Sequence, residues 1–119
     1  MATVLIVDDS KSDRKLAKKV VSKLGHIVVE AANGLEAIEM LDEYMPQLIL
    51  LDVVMPEMDG FATCRAIREN KRYARIPIVL TTTKNTASDE FWGKKQGATA
   101  HLGKPYGPKD LAAVVEQYV

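Results

Sequence analysis

Three carboxylates in this chain stand directly after apolar runs. Val4-Leu5-Ile6-Val7 ends on Asp8-Asp9, and Leu48-Ile49-Leu50-Leu51 ends on Asp52. A further run, Ile78-Val79-Leu80, stops on Thr81-Thr82-Thr83, and Lys104-Pro105 follows shortly after the segment 99–102. Acids brought to one edge repel, and a hard divalent cation with oxygen ligands is their natural counter-charge. No histidine lies near enough in sequence to serve as a base, so the set is poor equipment for Ser or Cys nucleophilic catalysis. It suits phosphoryl transfer, which needs placement and charge neutralisation more than covalent help from the protein. Carboxylates would hold Mg²⁺ against phosphate oxygens, and Lys104 would neutralise another oxygen.

The elements that must deliver these groups are legible as alternating strands and helices. Apolar or β-rich runs at about 3–7, 27–31, 48–51, 78–82 and 99–102 are separated by helical patterns. Such alternation predicts βα units and a doubly wound parallel sheet, whose strand ends all open on one side. The runs at Val4, Leu48 and Ile78 are nearly unbroken hydrophobics, as strands covered on both faces should be. Segment 26–31 is more mixed and belongs nearer an edge. Ser10 or Ser12 can cap a first helix whose apolar positions Leu16, Val20 and Leu24 precede Gly25. A second helix spans about 34–44 with Leu35, Ile38 and Leu41 on one face, and a third opens at Asp59-Gly60 with Phe61, Cys64 and Ile67. A weaker fourth, about 87–96, is interrupted by Gly93. The fifth begins at Gly107-Pro108 and carries Leu111, Val114, Val115 and Tyr118.

Composition narrows the function classes. At 119 residues the chain reads as one domain, 1–119, with sixteen Lys+Arg against sixteen Asp+Glu. No net charge draws it to nucleic acid or to an anionic membrane. The cluster Arg65, Arg68, Lys71, Arg72 and Arg75 is interrupted by Glu69 and has only Tyr73 as an aromatic partner, so it reads as a solvated helix face. The single Cys64 excludes an internal disulfide and a cysteine zinc cluster, and reads as a small core residue. No apolar stretch approaches the ~20 residues of a membrane span, and Met1-Ala2-Thr3 lacks a basic signal-peptide flank. The expectation is a soluble, cytoplasmic protein, monomeric or weakly dimeric. His26, after Gly25, reads as a turn residue.

Together, Val7-Asp8-Asp9-Ser10, Leu51-Asp52-Val53-Val54-Met55-Pro56 with Met58-Asp59-Gly60, Ile76 to Thr82, and Lys104-Pro105 resemble the receiver domains of bacterial two-component signalling, of the CheY-like kind. The resemblance covers essentially the whole chain. It implies a flavodoxin-like (βα)₅ fold with sheet order 2-1-3-4-5. It also implies that Asp52 accepts a phosphoryl group from a phosphohistidine of a sensor histidine kinase. Asp9, Asp52 and the backbone carbonyl of Val54 would ligate Mg²⁺, with Asp8 acting mainly through water. Thr82 would move its hydroxyl onto the acyl phosphate, Lys104 would pair with a phosphate oxygen, and the peptide before Pro105 would be cis. Output would pass through the fourth helix, fifth strand and fifth helix to a protein partner. The role is that of a switch which catalyses only its own phosphorylation and dephosphorylation.

Two positions depart from the family's pattern. His101 stands where a rotating Tyr or Phe is usual; an imidazole can rotate too and could add pH dependence, or it is merely a polar surface residue. Val54 and Lys84 occupy the positions flanking the hydrolytic water, and valine cannot orient water, which predicts slow self-dephosphorylation. A narrower resemblance, carried by Thr82-Thr83-Lys84 and Phe91 to Gly97, is to regulators of type IV pilus twitching and phototaxis. It implies a CheA-like kinase as donor and a motility or pilus protein as target, or a regulator that drains phosphate from a sister protein. Alternatively, Trp92 is only a surface helix residue. A Mg²⁺-dependent phosphatase with an Asp nucleophile would need a further general acid and a capping insertion. A flavodoxin-like FMN binder would need a phosphate loop that Asp8-Asp9 would repel.

Overall fold

The computed structural model describes residues 1–119. Five strands, β1 (Thr3–Val7), β2 (Ile27–Ala31), β3 (Leu48–Asp52), β4 (Ile78–Thr82) and β5 (Ala100–Gly103), alternate with five helices. The helices are α1 (Lys11–Lys23), α2 (Gly34–Tyr44), α3 (Gly60–Glu69), α4 (Ala87–Lys95) and α5 (Pro108–Tyr118), and a 3₁₀ turn spans Lys71–Tyr73. All strand pairs are parallel and their order is β2-β1-β3-β4-β5. This is the flavodoxin-like (βα)₅ arrangement expected from the sequence, with mixed β2 at an edge.

Strand side chains alternate between two faces, and each face has its own core. Leu5, Val7, Ile49, Leu51, Ile78 and Leu80 pack toward Ala37 and Leu41 of α2 and toward Cys64 and Ile67 of α3. Val4, Ile6, Leu48, Leu50 and Val79 pack toward Ala17 and Val21 of α1 and toward Leu111 and Val115 of α5. The chain winds outward from β1 in both directions. The crevice between the C-terminal ends of β1 and β3 is therefore where an open α/β sheet leaves room for a ligand.

Several local expectations change. Strand β3 continues through Asp52, so the acid is part of the ladder, paired with Thr81. Strand β5 starts one residue late, at Ala100; Thr99 joins Ile78 through its own N–H at 2.8 Å and through its hydroxyl oxygen, which accepts the Ile78 N–H at 3.0 Å. Gly93 does not interrupt α4, which runs on to Lys95 from a capping box made by Thr86 and Asp89. On α1 the fully buried positions are Ala17 and Val21; Val20 and Leu24 pack beside them as partly buried residues, and Leu16 is exposed.

His26 is more than a turn residue: its Nδ1 accepts the Ala2 N–H at 3.1 Å, and its Nε2 lies 3.9 Å from Glu116. Nor is the basic cluster wholly a solvated helix face. Residues 71–73 leave the helix in a 3₁₀ turn, Arg72 pairs with Asp42, and Arg68 donates to the carbonyls of Gly97 and Tyr73, both at 2.8 Å. Cys64 is buried, and burial pushes its thiol up to about 11, so it is a neutral core group. No helix is long and apolar enough to cross a membrane.

Candidate functional site

Strand β1 hands the chain to α1 through Asp8 and Asp9, and the turn between them is closed from both sides. The Ser10 N–H donates to Asp8 Oδ1 at 2.9 Å, while Arg14 of α1 donates to the Asp8 carbonyl at 2.6 Å. Asp8 is thereby buried and oriented, whereas Asp9 points to solvent. One strand over, Asp52 is 5% exposed, low for a carboxylate and a sign that it must be compensated locally. One carboxylate oxygen from each of Asp8, Asp9 and Asp52 lies within 4.8 Å of the other two.

The compensating charge arrives from β5. Gly103 ends that strand in register with Thr82, and Lys104 follows, joined to Pro105 by a cis peptide. The Lys104 Nζ reaches Asp8 at 2.8 Å, Asp13 of α1 at 3.1 Å and Asp52 at 3.3 Å. Burial pushes the Asp52 carboxyl up to about 6; the Asp8 charge adds to that rise and Lys104 opposes it. Burial also works against the Lys104 ammonium, but hydrogen bonds to Asp8 and Asp13 overcome it and hold the amine well above its ordinary range. Lys104 alone pairs with these carboxylates, since Arg14 reaches only the Asp8 backbone carbonyl and is paired with Glu30, and the mouth is left short of positive charge. That deficit, with hard oxygen donors and no thiol or imidazole among them, matches an oxygen-seeking divalent cation.

The loop after β3 is pressed against the acid-bearing strand. Gly60 donates to the Val53 carbonyl at 2.8 Å, and a Cβ on Gly60 would fall on the backbone oxygen of Asp52 and 2.7 Å from the Val53 Cα. Only glycine lets α3 begin this close to the acid-bearing strand. The Val54 side chain projects into solvent, and its carbonyl oxygen accepts no hydrogen bond from the chain.

Thr82 is fully buried, and its hydroxyl oxygen accepts the Lys84 N–H at 2.8 Å in a tight turn after β4. His101 of β5 lies against α4 where Gly93 has no side chain; a Cβ there would overlap its Cε1. The His101 Nε2 is buried without a hydrogen-bond partner. Burial lowers the His101 pKa, against the pull of Glu90 and Asp89, so its charge change is displaced below the ordinary histidine range. Trp92 and Phe91 stand exposed on the outer side of the same helix.

Asp8, Asp9, Asp52 and Lys104 thus converge in one crevice, while Thr82 is turned into its own loop and His101 packs on α4. Sequence reasoning missed Asp13. An acid three residues after the capping Ser10 reads as an ordinary helix-start residue, and nothing local relates it to a lysine ninety-one positions on.

Comparison with known proteins agrees with this arrangement. The family described as response regulator receiver domain matches residues 4–116. Protein PilH of Pseudomonas aeruginosa is 35% identical over 97% of this chain and 95% of its own length. Sensor histidine kinase CheAY of Helicobacter pylori is 36% identical over 98% of this chain, which spans 15% of that longer protein. Among solved structures, chemotaxis protein CheY4 of Vibrio cholerae superposes with a TM-score of 0.95 at 35% identity, covering 100% of this chain and 99% of that one. A parallel sheet opening on clustered acids, a lysine reaching them from β5, and a family match over nearly the whole length lead to one conclusion: the chain belongs to the response regulator receiver domain family.

Proposed function

We propose that residues 1–119 act as one phosphoacceptor switch, in which Asp52 takes a phosphoryl group from a phosphohistidine of a sensor histidine kinase. The observation that carries this reading is the convergence of Asp8, Asp9 and Asp52 within 4.8 Å, with Lys104 reaching Asp52 at 3.3 Å. With its carboxyl at about 6, Asp52 is mostly ionised at neutral pH and can attack. Its oxygen bonds to phosphorus, the phosphorus–nitrogen bond breaks, and the electron pair returns to the donor's imidazole. Mg²⁺, held by Asp9, Asp52 and the Val54 carbonyl with Asp8 acting through water, would neutralise the phosphoryl oxygens. Lys104 pairs with one of those oxygens.

The product adds roughly −1.5 to −2 charges to a crevice already rich in acid. Whatever brings a donor inward is then favoured, so the Thr82 hydroxyl gives up the Lys84 N–H and turns toward the phosphoryl group. Thr82 neighbours Gly103, two residues past His101, so that movement bears on the surface of α4, β5 and α5, through which a protein partner reads the state. The two acid-bearing strands carry no further general acid, so the chemistry is confined to loading and unloading Asp52.

Likeness to a chemotaxis protein and to part of a sensor histidine kinase supports a taxis or motility pathway in the cytoplasm, with a CheA-like donor and a motility or pilus protein downstream. Val54 cannot orient water for hydrolysis, so the phosphoryl group should persist. Persistence suits a protein that drives a target better than one that drains phosphate.

Acetyl phosphate with Mg²⁺ should add one phosphoryl mass to the protein, located on Asp52. Asp52→Asn or removal of Mg²⁺ with EDTA should abolish it. Rapid acetyl phosphate turnover without an adduct would point to a phosphatase instead, and modification elsewhere would overturn the reading. Val54→Asn should shorten the adduct's lifetime several-fold; a lifetime of only seconds in the unaltered protein would defeat the argument from valine.

A further inference from the structure

Four helices carry an acid in their first turn, three residues after the cap, and three of these acids serve their own helix. Glu36 of α2 accepts the Ala32 N–H at 3.2 Å, Asp89 of α4 the Thr86 N–H at 3.2 Å, and Asp110 of α5 the Gly107 N–H at 3.0 Å. Asp13 of α1 does not. The N–H it would otherwise take, that of Ser10, goes to Asp8, and the Asp13 carboxylate is turned to Lys104 at 3.1 Å. An ammonium has three N–H bonds, and here three carboxylates surround it: Asp8, Asp13 and Asp52. Two of these belong to the converging trio; Asp13 stands outside it and meets it through the lysine.

We propose that Asp13 is a positioning residue that tethers Lys104 to α1, so that the ammonium does not settle fully on Asp8 and Asp52 and block them against the cation. The inference rests on the proposed function for its consequence and on α1 geometry for its existence. Without the tether, the N–H bond now spent on Asp13 is free to close on Asp52, at present an ion pair at 3.3 Å, and Lys104 competes more strongly with Mg²⁺. With the tether, one of its three bonds is held at the rim, beside the cavity of about 290 Å³ lined by Asp13, Leu16, Thr83, Lys104, Pro105 and Tyr106. Asp13 is 45% exposed, so its hold is partial and the effect is moderate.

A double-mutant cycle between Asp13 and Lys104 separates this tether from the plain loss of a negative charge. In calorimetric titration with Mg²⁺ alone, Asp13→Asn should weaken binding roughly threefold, and Asp13→Glu should recover most of it. In a Lys104→Met background, Asp13→Asn should change Mg²⁺ affinity little. Equal weakening in both backgrounds would mean that Asp13 acts on the cation through space, and the tether would be wrong. Melting in EDTA tests the tether without metal. Asp13→Asn should lower Tm by about 1–3 °C when Lys104 is present and should not lower it in the Lys104→Met background. Equal drops would overturn the proposal. A flat wild-type Mg²⁺ titration would remove the cation reading alone, and the melting cycle would still decide the tether.

Discussion

The acid mouth between β1 and β3 and the flank formed by α4 and β5 lie on one sheet but are built to different standards. At the mouth, β1 is buried from Val4 onward and β3 throughout, and the charged groups hold one another through Lys104. On the flank every residue of β5 is only half-buried, and Gly93 is the sole buried residue of α4. The neighbours of the two key glycines differ in kind. Gly60 is pressed against backbone, Gly93 against the rotatable ring of His101 and a Leu80 methyl at 3.0 Å. A centre that must place oxygens around a phosphorus needs fixed backbone, whereas a surface that reports its state needs side chains able to repack. On the proposed reading, the tighter packing would then hold the phosphoryl group, and the more exposed face would be the one a partner reads.

The largest expected break of this contrast is Gly60→Ala. The added methyl meets the Asp52 carbonyl, which cannot give way, so stability should fall by about 2–4 kcal/mol in denaturant unfolding. A loss below ~1 kcal/mol would show that the mouth is softer than its packing indicates.

Asp52→Asn comes next, and its sign is opposite. Because the folded-state carboxyl is raised to about 6 from 3.8, the native protein binds the proton more tightly than the unfolded chain. Stability therefore declines as pH rises from about 4 to 6, and the full penalty is present above that window. In metal-free buffer at pH 7.5 the substitution should stabilise by about 1–3 kcal/mol, and the gain should vanish below about pH 4. A pH-independent effect would contradict the burial argument.

His101 should show the reverse slope. Its folded-state pKa is lowered by burial, so the unfolded chain takes the proton first and stability is lost as pH falls below the ordinary histidine value of 6.5. His101→Phe should remove that loss while leaving the Asp52 window unchanged, which denaturation at a series of pH values would reveal. The smallest effect is expected from Gly93→Ala, where ring displacement offsets better helix propensity and stability should move by less than ~1 kcal/mol. The His101 ring resonances should nonetheless shift in NMR spectra. Unmoved resonances would mean that the flank does not yield where it meets α4.

The parts legible in the sequence and the parts that were not divide on physical grounds. Apolar runs leading to Asp8-Asp9 and Asp52 announced buried strands and the edge they open on, but not that β3 carries Asp52 as its last buried residue, which the distant Lys104 compensates. Misjudged positions are those whose partner lies far along the chain. Of the apolar row Leu16, Val20 and Leu24, the last two do pack against the core, but its buried centre is Ala17 and Val21 and Leu16 is left exposed, because the sheet sets which way the helix is turned. Gly93 reads as a helix breaker until His101 is seen to occupy the space it leaves. Arg68 looks solvated until the carbonyls of Tyr73 and Gly97 surround it.

Neighbouring residues were enough to establish which groups are available, which strands carry them and that the sheet is parallel, because burial, alternation and helix punctuation are local properties of a chain. The folded arrangement was needed to divide one ammonium among Asp8, Asp13 and Asp52, to hold Thr82 in its own turn, and to rest His101 on a glycine. The Thr82 turn closes locally on Lys84, but the sharing of the ammonium depends on segments up to ninety-six residues apart, which folding alone brings within reach of a hydrogen bond.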